Sequence, residues 1–192
     1  RRLSFAVQLL DEYTKSAPMG GAEVFLKGGE RAVKSAGSQY YKFIDLPEGD
    51  YRILVRSANY FDEISEPINT ENYNNKNPIT IGLVPRPSYP FPPGETLVRG
   101  RLIGGDGEPI VGGRLSVRAA NEVFSSRTTE TGEFVIYFGD LSEEDVTEEE
   151  GRYFVRGDTD TRITIIAEGE SGKLELDKVE VGETRSINFF VR

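Results

Sequence analysis

Residues 37–46 (GSQYYKFIDL) and 132–141 (GEFVIYFGDL) both open on glycine, run through alternating aromatics, and close on Asp-Leu. They lie 95 positions apart in a chain of 192 residues. A strand motif written twice at that spacing constrains the chain to two copies of one β-module, each of roughly 90 residues. Domains that small bury only about 60–65% of their unfolded surface, so each core is modest.

Alternating apolar residues predict strands in the first copy at 3–10 (Leu3, Phe5, Val7 and Leu9 inward), 22–27, 31–35, 40–44, 51–57 (Tyr51, Ile53 and Val55 inward) and 79–84. Pro18 to Gly21 reads as a turn, Gly28-Gly29 as a break and 69–77 as polar loop. Residues 85–94 (PRPSYPFPPG) contain five prolines and mark the boundary, in the manner of a stiff, extended spacer. The second copy predicts strands at 97–103, 114–119, 123–128, 133–138, 174–179 and 185–191. After Asp-Leu the copies part. The first uses five residues (47–51) before its next strand and the second uses twenty (142–161), read as an acidic loop with one extra strand at 153–156. The expected organisation is therefore a first sandwich at 1–84, a linker at 85–94, and a second sandwich at 95–192 carrying the insert at 142–161.

The order strand, Gly-x-Pro-type turn, strand, Gly-aromatic, Leu-Pro-x-Gly-x-Tyr resembles the carboxypeptidase regulatory-like family. The second copy carries it in 100–103 (GRLI), 107–110 (GEPI) and 128–134 (TTETGEF); the first carries it in 18–26, 40–51 (YYKFIDLPEGDY) and Tyr60. The resemblance implies an all-β chain of two tandem antiparallel Greek-key β-sandwiches of transthyretin-like (prealbumin-like) type. It also implies an accessory, non-catalytic module of the kind found in cell-surface and secreted proteins, so an extracellular or surface location is expected. Asp45 and Asp140 are expected to cap the turns that follow them. The related branch that hydrolyses 5-hydroxyisourate depends on histidines, and this chain has none.

Composition narrows the chemistry further. With no cysteine and no histidine, zinc sites of the usual ligands, Ser-His-Asp triads and thiol nucleophiles cannot be built. Residues 1–84 carry 10 basic and 11 acidic side chains, whereas 95–192 carry 12 and 21, so the net charge of −9 resides in the second copy. A phosphate backbone would be repelled, and no nucleic-acid partner is expected. No run approaches the roughly 18 apolar residues of a membrane helix, and no membrane insertion is expected. The chain begins Arg1-Arg2 without methionine, as a trimmed or processed chain does.

Three candidate sites remain. Residues 140–150 hold seven carboxylates in eleven positions. Calcium takes roughly six to eight oxygens, which makes Asp140, Glu143, Glu144, Asp145, Asp158 and Asp160 candidate ligands, although EF-hand spacing is missing. No other cofactor is expected. Glu148, Glu149 and Glu150, with Tyr89 and Phe91 of the linker, are candidates for contact with a protein partner or flanking domain. Tyr40, Tyr41, Tyr60, Phe61 and Tyr73 are candidates for stacking a polysaccharide, and Arg156-Gly157-Asp158 spells an integrin-binding tripeptide. The expected function is a structural or interaction module holding a protein partner through loops or sheet edges, with a carbohydrate- or calcium-dependent binding module as the alternative. An enzyme is not expected.

Overall fold

The computed structural model describes residues 2–29, 31–34, 37–73, 77–119, 122–169 and 172–191. It divides into two compact units, Arg1–Ser88 and Tyr89–Arg192. Among the described residues no helix is long and apolar enough to cross a membrane.

The first unit contains strands β1 (Leu3–Asp11), β2 (Ala22–Leu26), β3 (Val33–Lys34), β4 (Tyr40–Ile44), β5 (Asp50–Tyr51), β6 (Ile53–Ser57), β7 (Glu63–Ile64), β8 (Ile68–Asn69) and β9 (Ile79–Leu83). One sheet runs β3-β4-β1-β9 and another β2-β6-β7, with β5 paired to β8. The period-2 pattern decides which face is buried. Phe5, Val7 and Leu9 of β1, Phe43 of β4, Val24 of β2, and Ile53 and Val55 of β6 are all buried. Phe5 and Phe43 stack with centroids 5.0 Å apart. Each such side chain contributes about 1.5–3 kcal/mol by leaving water.

The second unit contains β10 (Leu97–Ile103), β11 (Arg114–Ala119), β12 (Glu122–Arg127), β13 (Glu133–Tyr137), β14 (Val146–Glu149), β15 (Arg152–Val155), β16 (Arg162–Ala167), β17 (Gly172–Asp177) and β18 (Thr184–Phe190). Its sheets run β13-β10-β18 and β12-β11-β16-β17, with the hairpin β14-β15 beside them. Both sheets feed one core, including Val98, Leu102, Phe134, Ile136 and Phe189 from the first and Leu115, Val117, Ile163, Ile165 and Leu176 from the second. The repeated motif has a local cause here. Gly132 adopts φ 76°, and a Cβ on it would lie 2.8 Å from Pro109 Cβ and 2.9 Å from the Leu102 carbonyl oxygen. Glycine is therefore required where that turn crosses the Gly-x-Pro segment.

Three expectations are corrected. The sheets are not wholly antiparallel: β9 runs parallel to β1, with Val7 opposite Ile79, and β18 runs parallel to β10, with Leu97 opposite Thr184. In each unit the last strand returns to the first strand's sheet after the chain has passed through the other, and it arrives in the same direction. The predicted strand 51–57 is two elements, because Tyr51 pairs with Ile68 while Ile53 to Ser57 pair with β2. The third strand expected at 31–35 is present as β3 and lies on β4, with Arg31 bridging back to Phe25; in the second unit its counterpart β12 lies on β11 along six residues. Ser35 and positions 74–76 of the predicted loop fall outside the described residues. Finally, Asp45 and Asp140 do share a left-handed backbone, at φ 54° and 53°. Asp45, however, uses its carboxylate to accept from Arg2 N–H at 2.7 Å, fastening β4 to the start of β1 rather than capping the next turn.

Candidate functional site

The acidic insert is an ordered hairpin rather than a solvated loop. Ser142 begins it: its N–H and its hydroxyl both donate to Asp145 Oδ2, at 2.8 and 2.6 Å. These bonds, led by the hydroxyl, hold the Asp145 carboxyl below the usual carboxylate range. A single 3₁₀ turn, Glu143–Asp145, leads into β14. Strands β14 and β15 then pair from Val146 opposite Val155 to Glu149 opposite Arg152. The two residues between, Glu150 and Gly151, both have positive φ, 52° and 78°, as a two-residue hairpin turn requires.

The hairpin is fastened by its second strand. Val155 N–H donates to Val179 O and Val181 N–H to Tyr153 O, both at 2.9 Å. Phe154 and Val155 are buried. The Phe154 ring carries two cations, with Arg152 5.4 Å and Lys178 5.5 Å from its centroid. Each cation has its own acid. Arg152 Nε donates to Glu180 at 2.7 Å, and Lys178 pairs with Glu149. Glu180 is accordingly held below its ordinary value by Arg152, while Lys178 is raised by Glu149. Charges on a buried aromatic ring, each paired, act as a lid on it.

This arrangement does not gather the candidate calcium ligands. Asp145 is engaged by Ser142, while Asp140, Glu143 and Glu144 are exposed before the hairpin. Asp158 and Asp160 follow it, in a turn closed by Gly157 N–H to Asp160 O at 2.7 Å. Among the described residues no three carboxylates come together in a way that could hold a metal ion. The candidates are strung along the chain before and after the hairpin, and within it strand alternation sends Glu148 and Glu149 to opposite faces.

The partner-contact residues separate too. Glu148 and Glu150 are exposed, whereas Glu149 is half-buried and engaged by Lys178. Tyr89 is only 2% exposed and cannot meet a partner at the surface. Its ring lies 4.7 Å from that of Phe91, which in turn lies 5.7 Å from Tyr137, with Arg99 5.5 Å above Phe91. Burial pushes the Arg99 guanidinium below its ordinary value. The Pro-rich segment thus folds onto β10 and β13 from Tyr89 onward. The aromatic platform also fails to form. Tyr60 and Phe61 are buried, Tyr41 is inward, and Tyr73 is tied down, accepting from Ala6 N–H at 3.3 Å and donating to Asn77 O at 2.7 Å. The Arg156 of the tripeptide donates to Val146 O at 3.0 Å and so braces the hairpin.

Two features escaped the sequence reading. Tyr153 is 51% exposed and stands directly across from Glu148 on the hairpin; the alternation of 152–155 after Glu150-Gly151 was its signal. The other is the outer face of the sheet β12-β11-β16-β17. There the strand alternation that fills the core leaves arginines and aliphatic side chains outside.

No family model matches the chain, and no curated protein does. Among solved structures it is similar to the Bacillus anthracis TIE protein, at 12% identity and a TM-score of 0.32 over 97% of this chain and 33% of that one. It is also similar to a Streptococcal ancillary pilin, at 11% identity and a TM-score of 0.31 over 97% of this chain and 68% of that one. A third similarity is to GBS52, the minor pilin of Streptococcus agalactiae, at 10% identity and a TM-score of 0.32 over 97% of this chain and 95% of that one. The chain spans a third of the length of the TIE protein, and none of these likenesses bears on function.

Proposed function

We propose that the chain is a non-catalytic structural or interaction module of a surface-exposed or multi-component assembly, binding a protein partner through loops or sheet edges. In this reading residues 1–84 and 95–192 are two transthyretin-like sandwiches, and the chain works alongside flanking domains or subunits at the cell surface. The observation that carries it is where the polar and apolar groups lie. Carboxylates that a catalytic or metal site would need are engaged in turns and ion pairs, as Asp11, Asp45, Asp145, Glu149 and Glu180 are. Large apolar side chains, by contrast, stand exposed on outer strands and at the hairpin, with Phe190 of the edge strand β18 at 66%, Val123 of the edge strand β12 at 60% and Tyr153 at 51%. Strand edges and flat faces of this kind recognise other polypeptides. Two recesses in the first unit, one beside Asp45 and Tyr73 and one beside Lys34 and Tyr41, hold about 80 and 70 Å³. A small-molecule pocket needs about 300–1,000 Å³.

Thermal unfolding with and without millimolar Ca²⁺ and a panel of soluble polysaccharides tests the reading. The expected melting temperature is the same in every condition. A saturable rise of roughly 5–10 °C with one of them would instead make the chain a ligand-binding module.

A further inference from the structure

We infer that the outer face of the sheet β12-β11-β16-β17 is a docking surface for the hairpin β14-β15 of a second copy of this chain. The inference rests on the interaction-module reading and names a partner for it. Leu115, Val117 and Ala119 of β11 point into the core, which sends Arg114, Ser116 and Arg118 outward. The register sets Val123 of β12 opposite Arg118 and Ile166 of β16 opposite Ser116, on the same outer side. Val123 is 60% exposed and Ile166 48%.

Arg127 of β12, opposite Arg114 and half-buried, also belongs to this side; the other charges on the face fall into two classes. Toward β17 they are satisfied, with Arg162 bonded to Asp177 at 2.9 Å and Lys173 to Glu175 at 2.9 Å. On β11, Arg114 and Arg118 are exposed, and their guanidinium groups make no hydrogen bond or ion pair among the described residues. Four residues along a strand put them about 13 Å apart, with Val123 and Ile166 flanking the row they form. Two unpaired guanidiniums beside exposed aliphatic groups form a basic, partly apolar patch on the half of the chain that carries its negative charge.

The hairpin presents the complementary chemistry. Glu148 and Tyr153 face each other across its two strands, both exposed, with exposed Glu150 at the turn. The Glu148 carboxylate makes no hydrogen bond or ion pair among the described residues, unlike that of its neighbour Glu149. A carboxylate fits an arginine bidentately, and a tyrosine ring takes a guanidinium or an aliphatic group against its face. Arginine and tyrosine are also the side chains that most often dominate interface energies. Because face and hairpin are different surfaces, the contact is heterologous: each copy offers one and receives the other, which builds chains or rings rather than closed two-fold dimers.

Sedimentation velocity of the full chain over a concentration series tests this. At about 10 mM salt, where the Debye length is about 30 Å, the weight-average sedimentation coefficient rises with concentration; at about 1 M salt, where it is about 3 Å, the rise is lost. Arg114→Glu/Arg118→Glu sediments as a monomer throughout, and so does Glu148→Gln/Tyr153→Ser. An equimolar mixture of the two stops at a dimer, because the first variant keeps its hairpin native and the second keeps its face native. In that dimer the hairpin carrying Glu148→Gln/Tyr153→Ser offers no cation to the acidic, charge-reversed face, so the second interface stays open and the salt sensitivity is that of one native interface. Arg114→Gln/Arg118→Gln, which changes charge less, is the folding control and is also monomeric. Wild-type protein that stays monomeric at every concentration up to roughly 0.5 mM, a range that detects even weak contacts, overturns the inference. So does a charge-reversed face that associates like wild type, or a mixture that stays monomeric. None of these results bears on the module reading, which is decided by the ligand-dependent melting above.

Discussion

The Tyr60 hydroxyl donates to Asp11 Oδ2 at 2.8 Å, and both residues are fully buried. Asp11 ends β1 and also accepts from Tyr13 N–H at 2.7 Å and Thr14 N–H at 3.2 Å, while the Tyr60 oxygen accepts from Met19 N–H at 2.9 Å. One buried carboxylate and one phenol therefore order both the turn after β1 and the entry to β2. Tyr60→Phe leaves Met19 N–H without its acceptor and Asp11 short of a donor, and is expected to cost about 1.5–3 kcal/mol. Asp11→Ala is expected to cost more, since three donors lose their acceptor together. Urea titration of both variants checks this; a Tyr60→Phe midpoint equal to wild type would remove the bond from the account of stability.

Gly100 lies in β10 opposite Ile187 of β18. A Cβ there would overlap the Ile187 carbonyl oxygen and come within 2.9 Å of Phe134 Cζ. Gly100→Ala is therefore expected to force apart the parallel pair, at the upper end of the roughly 1–3 kcal/mol typical of overpacking. Amide hydrogen exchange should show protection lost along β10 and β18 first, with β11 and β16 retaining theirs. Uniform loss across both sheets would contradict a local cause.

What could be read from the sequence and what could not divide along physical lines. Burial on one face imposes a period of two, so Leu3 to Leu9 and Ile53 to Val55 announced their strands. Strands β7 and β8 have two residues each and no period to read. They exist because Ser65 exchanges hydrogen bonds with Ile53, at 2.9 Å each way, and because Tyr51 pairs with Ile68. The parallel partners of β1 and β10 depend on the path of the whole chain, which no local pattern carries. In the insert, the run of carboxylates resembled a solvated loop because charge dominates composition. The fold there is decided instead by Phe154 and Val155 and by the Glu150-Gly151 turn. Tyr89 looked available because it sits among prolines, yet its ring is buried.

The second unit is expected to respond to acid. Asp145, Glu175 and Glu180 are all held below the ordinary carboxylate range, by Ser142, Lys173 and Arg152 in turn. A folded-state value below the unfolded one means that their support is complete above the unfolded range, near about 4, and is lost as pH falls through the folded value. Lys178, raised by Glu149, works in the other direction: its support is complete below its unfolded value of about 10.4 and is lost as pH rises through the folded one. The melting temperature should therefore change little between about pH 5 and 8 and drop below about 4. Asp145→Asn has less to lose in acid, so its curve should converge on wild type at low pH. A constant offset at every pH would show that Asp145 acts by shape rather than by charge.

The linker gives the sharpest test of where the second unit begins. Five prolines between 85 and 94 read as a spacer, which would let a fragment start at residue 95 without loss. The structure instead stacks Phe91 between Tyr89 and Tyr137 with Arg99 over its ring, so a fragment of 89–192 keeps contacts that 95–192 lacks. An aromatic pair is worth about 0.5–1.5 kcal/mol and a cation on a ring about 0.5–1 kcal/mol. Losing both should lower the melting temperature of the shorter fragment by roughly 5–10 °C. Both fragments retain the core of Val98, Leu115, Phe134 and Ile165, so both are expected to fold. Phe91→Ala in the longer fragment should reproduce most of the difference, because Phe91 is the ring that the other contacts share. Equal melting temperatures for the two fragments would return residues 89–94 to the role of spacer and move the edge of the unit to the start of β10.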